Sequence, residues 1–290
     1  MDDAPSFLEP VDEIDDRAEG VETDRLPQAG ASSLPGVRRI GVDDTEEDVA
    51  EDVTEESTDD DAQLSDGPAL QAFASEFENP EGHPIVSIVL VHQGSTALSP
   101  EVLDGLPPHL SFAVDAGMGN AASIARSYRE AGREVVMLPS LPEGAAPQDV
   151  EQAMQVNLEM IPEAVAIMDL SGSSFQSDRS AVRQVVDVVA DTGHGVITFP
   201  RGLNAAHQEA QRAGVPTGLI FRKVDDSDET QEQIRRALDR AAFRARQNEG
   251  VILVGTTEDN TLAAIVEWAL GNRSASVMIA PVSASLQANE

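Results

Sequence analysis

The groups in this chain that could do chemistry are few, and they stand at the ends of apolar runs. Residues 86–94 read Val-Ser-Ile-Val-Leu-Val-His-Gln-Gly, a buried strand running into a turn at Gly94. That strand delivers His92 and Gln93 to its carboxyl end. Asp169 follows another apolar run and opens a small polar loop, Asp169-Leu170-Ser171-Gly172-Ser173-Ser174-Phe175. An imidazole and a carboxylate are the pair that general acid–base chemistry uses, so His92 and Asp169 are the catalytic candidates. Each also has a plainer role, the histidine as a hydrogen-bonded structural residue and the aspartate as a turn cap. Ser171, Ser173 and Ser174 lack the Gly-x-Ser-x-Gly setting of a hydrolase nucleophile. No His-x-x-x-His pair marks a zinc site, and there is no cysteine to supply a thiolate. Asp115, Thr256 and Glu258 stand at further strand ends. With Gln93, Ser171 and Ser173 they complete the candidate cleft and ligand-binding groups.

Two loops carry backbone rather than side-chain chemistry. Asp115-Ala116-Gly117-Met118-Gly119-Asn120-Ala121-Ala122 fits a Gly-x-Gly-x-x-Ala dinucleotide fingerprint, but a strand-to-helix turn explains the glycines equally. The acid that would hold a ribose is also missing from the end of the next strand, which reads Met137-Leu138-Pro139. Gly255-Thr256-Thr257-Glu258-Asp259-Asn260 could offer helix amides to an anion, with Thr257 as the simpler helix cap.

The elements that must position these groups alternate regularly. Strand-type apolar runs fall at 85–91, 110–114, 134–138, 164–168, 195–199, 218–222, 251–254 and 275–279. Helical patterns lie between them. Val182, Val185, Val186 and Val189 share one helix face after a Ser177-Asp178 start and before Gly193. Leu262, Ile265, Val266 and Ala269 repeat the pattern. Ile234, Leu238 and Ala242 line a longer helix opened by Ser227-Asp228-Glu229-Thr230. Strands alternating with helices predict a parallel sheet covered by helices, either a closed barrel or an open doubly wound sheet. In both, function belongs at the carboxyl ends of the strands.

Charge divides the chain. Residues 1–80 hold 25 acidic and 4 basic residues, a net of 4 − 25 = −21 out of −33 for the whole. Such a segment buries too little apolar surface to offset chain entropy, so residues 1–80 are expected to be a disordered acidic linker, with a short helix near Leu70–Phe77 docking on the domain. The net charge argues against nucleic acid and anionic membranes as partners. No run approaches the length of a membrane span, and residues 1–20 show no secretory signal.

The same residues, in the same order, resemble the divergent polysaccharide deacetylase family of bacteria, a branch of the carbohydrate esterase fold, over residues 83–288. Residues 88–94 resemble the family's opening strand, which ends in Asp-Asp-x-Gly. Residues 131–139, Ala-Gly-Arg-Glu-Val-Val-Met-Leu-Pro, resemble its Ala-Gly-His-Glu-Val segment and the His-Leu-Pro stretch to which it leads. Residues 166–175 resemble its Gly-Val-Asn-Asn-His-Met-Gly-Ser-x-Phe loop. Residues 254–257, Val-Gly-Thr-Thr, resemble its closing Ile-Gly-His-Pro. Gly94, Gly172 and Gly255 are kept. The chemical groups are not: Val91-His92 stands for the Asp pair, Leu138 (or Met137) and Leu170 for two histidines, and Thr256 for the last.

The resemblance implies an irregular (β/α) barrel of seven to eight parallel strands over residues 81–290. It implies a domain that has lost its divalent metal and metal-dependent deacetylation, retains no cofactor, and binds a glycan or a cell-envelope protein in a periplasmic or envelope setting. Two alternatives stay open: an active hydrolase rebuilt around His92 and Asp169, and a nucleotide-binding domain using the Gly117–Gly119 loop.

Overall fold

The computed structural model describes residues 67–169, 175–200, 202–225, 229–248, 250–271 and 274–288. The acidic segment up to residue 66 lies outside them. Seven parallel strands form in the expected places: β1 (Ile85–Val91), β2 (Ser111–Asp115), β3 (Glu134–Leu138), β4 (Ala164–Met168), β5 (Gly195–Thr198), β6 (Thr217–Lys223) and β7 (Gly250–Thr256). They pair in sequence order, and β7 pairs back to β1 along its whole length. Of the two sheet forms compatible with the alternation, the chain adopts the closed barrel. Almost every residue of β1, β3 and β4 is buried, because helices cover one face and the barrel lumen the other.

An eighth strand, β8 (Met278–Ala280), pairs with Ile85–Ser87 of β1, whereas β2 pairs with Val89–Val91 of the same strand. One edge of β1 is thus shared between two partners. That limits β8 to three residues. The apolar run expected as a strand over 275–279 accordingly opens with a 3-10 turn at Ser274–Ser276.

The barrel is wrapped by α2 (Pro100–Asp104), α3 (Ala121–Glu130), α4 (Pro147–Met160), α5 (Arg179–Thr192), α6 (Ala205–Arg212), α7 (Gln231–Asn248) and α8 (Asp259–Ala269). The expected signals act at α5. The Asp178 side chain accepts from the Ser180 and Ala181 amides, and Gly193 closes the helix in the left-handed region at φ 72°. Val182, Val185, Val186 and Val189 are its buried face.

The amino-terminal end of the barrel is plugged from both ends of the described chain. Leu70, on the short helix α1 (Ala69–Ala72), and Leu286, on α9 (Val282–Gln287), join the lumen residues Val89, Ala113, Val136, Ala166, Ile197, Ile220 and Ile252. Gly195 and Gly218 make room for the plug. A Cβ on Gly195 would stand 2.5 Å from Leu286 Cδ1, and one on Gly218 2.4 Å from Ile252 Cδ1. The short helix expected to dock near Leu70–Phe77 forms over Ala69–Ala72, and residues 67–80, grouped on sequence with the acidic linker, pack on the barrel: the Leu70 amide donates to Gly193 O, and Arg129 lies over the Phe73 ring.

Candidate functional site

The carboxyl ends of the strands form the mouth of the barrel, and its lumen side is apolar. Leu138 of β3, Met168 of β4 and Val254 of β7 are buried there, with Val91 and Phe199 partly buried against them.

His92 is one residue beyond β1 and faces away from the lumen. Strand alternation puts Val89 and Val91 inside and Leu90 outside, so His92 falls on the helix side. Its Nδ1 shares a 2.8 Å hydrogen bond with Tyr128 Oη of α3, and Tyr128 stacks on Phe112 of β2 at 4.1 Å. His92 is 6% exposed, and burial holds its pKa below the usual value for an imidazole. Burial likewise pushes the Tyr128 phenol up to about 12.

Asp169 lies on the far side of the barrel. β2 and β3 separate β1 from β4 on one side, and β5, β6 and β7 on the other. Asp169 is 3% exposed, and its Oδ2 accepts the Gln176 amide at 3.0 Å, joining Gln176 to the strand end. The two catalytic candidates are therefore not brought together. Ser171 and Ser173 lie outside the described residues.

The remaining candidates divide between loop anchoring and solvent. The Gln93 amide donates to Thr257 Oγ1 at 2.8 Å, which joins the β1 and β7 loops. Thr257 is therefore a loop link rather than the cap of α8, whose N-cap position is taken by the exposed Glu258 without a side-chain bond. Asp115 Oδ1 accepts the Gly117 amide at 2.8 Å, and the Met118 amide donates to Asp115 O. Gly117 is a glycine for packing, since a Cβ there would meet Ser140 Oγ at 2.9 Å.

Asp225 is the strand-end residue that sequence reasoning missed. It is 6% exposed, and its Oδ2 accepts from the Thr256 amide and hydroxyl, both at 2.6 Å, and from Thr261 Oγ1 at 2.7 Å. These bonds tie β6, β7 and α8 together and fix Thr256. In sequence it is hidden in the polar run Val224-Asp225-Asp226-Ser227-Asp228, which reads as a loop.

A divalent ion needs several oxygen or imidazole donors converging on one point. Among the described residues, no three His, Asp or Glu side chains are placed to hold one. The positions that resemble a metal site present Val91, His92, Leu138 and Thr256; His92 is turned onto Tyr128, and one oxygen each of Asp169 and Asp225 holds a backbone amide. Among the described residues the donor set does not fit a metal.

A sequence model described as divergent polysaccharide deacetylase matches residues 88–286. Among solved structures, the chain is similar to an uncharacterized protein from Agrobacterium tumefaciens, with a TM-score of 0.64 at 20% identity over 75% of this chain and 94% of that one. It also aligns with a lactam utilization protein from Thermus thermophilus, with a TM-score of 0.47 at 13% identity over 67% of this chain and 98% of that one. At these identities the likeness is one of fold, and it rests on the first. No curated protein matches the chain.

Proposed function

The chain belongs to the divergent polysaccharide deacetylase family, and from that premise we propose that it is a non-catalytic member. In this reading the barrel has given up its metal and metal-dependent deacetylation, and serves as a scaffold in carbohydrate metabolism at the cell envelope, with a glycan or an envelope protein as partner.

The observation that carries the reading is how the mouth is furnished. Leu138, Met168, Val254 and Val91 line the lumen side, where a deacetylase needs carboxylate and imidazole. His92 is turned outward onto Tyr128, and Asp169 is turned onto the Gln176 amide. No observation favours the rebuilt hydrolase, since β1 and β4 lie on opposite sides of the barrel. The nucleotide reading fares no better, because the Gly117 and Met118 amides already donate within their own turn. No helix among the described residues is long and apolar enough to cross a membrane.

The test is acetate release from N-acetylglucosamine oligomers by the full chain with added zinc. The reading expects none above a protein-free control. Release that disappears in His92→Ala would overturn it.

A further inference from the structure

The outer face of α7 differs from the rest of this acidic molecule. Ile234, Ala237, Leu238, Ala241, Ala242 and Ala245 bury one side of the helix. On the other side Arg236, Arg240, Phe243, Arg244 and Gln247 recur at helical spacing. Phe221, on the outward side of β6 beside a bulge, stands next to them. Together with Asp239 these residues line a shallow groove of about 700 Å³. Phe243 is 63% exposed and Phe221 39%, so two aromatic rings meet solvent in one place. Arg236 is paired with Glu232, and Asp239 accepts the Trp268 indole N–H, whereas Arg240 and Arg244 make no ion pair among the described residues.

Exposed phenylalanines flanked by unpaired guanidinium groups are the composition of an interface centre rather than of a solvated face. We propose that this face docks a short acidic peptide segment with apolar side chains, carried by another protein. Arg240 and Arg244 would take its carboxylates, and Phe221 and Phe243 its apolar groups. The occupant follows from charge. The stripe is locally cationic, but the chain carries a net −33. An extended anionic surface, such as a bilayer or nucleic acid, would reach past the stripe to the acidic side chains around it and be repelled. A short segment senses only charges within a screening length of about 8 Å.

The proposal is tested on the full chain by fluorescence anisotropy with a labelled amphipathic peptide of about sixteen residues, built from alternating turns of Glu and Leu to span α7. Poly-glutamate of equal length and vesicles rich in phosphatidylserine serve as controls. All the substituted residues are exposed, and an unchanged melting temperature of each variant would show that the fold is kept. The expected result is saturable 1:1 binding that weakens about ten-fold in Arg240→Glu/Arg244→Glu and by a similar factor in Phe243→Ser. Equal affinity for poly-glutamate, preference for the vesicles, no uptake of the peptide, or affinity unchanged in the variants would each overturn it.

Discussion

Ser283 and Glu134, 149 residues apart in sequence, are joined at the floor of the barrel. The Ser283 amide donates to Glu134 Oε2 at 3.1 Å, and its hydroxyl donates to Oε1. Ser111 Oγ donates to Oε2 at 3.3 Å, and the Ser75 amide to Oε1 at 3.0 Å. One carboxylate, 1% exposed, thus ties β2, β3, the segment ahead of β1 and the carboxy-terminal helix together. A buried carboxylate is tolerated only when its lone pairs are filled in this way.

Replacing that acceptor should loosen the floor. Glu134→Gln keeps the size but turns one acceptor into a donor facing donors. The expected loss of stability by urea unfolding is about 3 kcal/mol, with faster proteolysis of α9. A change below about 0.5 kcal/mol would contradict the arrangement.

The glycines opposite Leu286 predict a compensating pair. Gly195→Ala should destabilise by about 1–3 kcal/mol, because its Cβ overlaps Leu286 Cδ1. Leu286→Ala also costs stability alone, but in the double variant the two losses should add to less than their sum. A double-mutant cycle from thermal melts reads the coupling directly.

His194 gives the chain a pH dependence of known sign. It is 4% exposed, and burial lowers its pKa from 6.5 to about 4. The unfolded chain therefore binds more protons between those values, and stability falls as pH drops through that window. The stabilisation is complete above pH 6.5 and amounts to about 3 kcal/mol. His92, His109 and His207 shift in the same direction, so His194→Asn should flatten the slope of unfolding free energy against pH without abolishing it.

Asp225 anchors the mouth through its Oδ2. Asp225→Ala strands the Thr256 and Thr261 hydroxyls and should cost about 2–3 kcal/mol. Asp225→Asn, which keeps one acceptor oxygen, should cost less. Urea midpoints of the two variants check the order.

Much of the barrel was legible because its strands are short apolar runs between helices with a clear inner stripe, as in α5 with its Asp178 start and Gly193 stop. Closure was legible only through the family resemblance, since it depends on β7 pairing with β1 across the chain, which no local pattern encodes. At the floor the docking helix with Leu70 was expected, but its partner Leu286 on α9 was hidden for the same reason. Glu134 reads as the first polar residue of a strand, and its partners lie as far off as Ser75 and Ser283. At the mouth, sequence placed His92, Asp115, Asp169 and Thr256 at strand ends. It did not say which way each side chain turns, and this decides the chemistry.

Isothermal calorimetry of zinc and nickel on the full chain, beside His92→Ala and Asp169→Asn, tests the central claim most directly. The account predicts no stoichiometric site in the native chain, and any weak uptake by the acidic segment to be equal in all three. One equivalent bound tightly by the native chain and lost in either variant would contradict it.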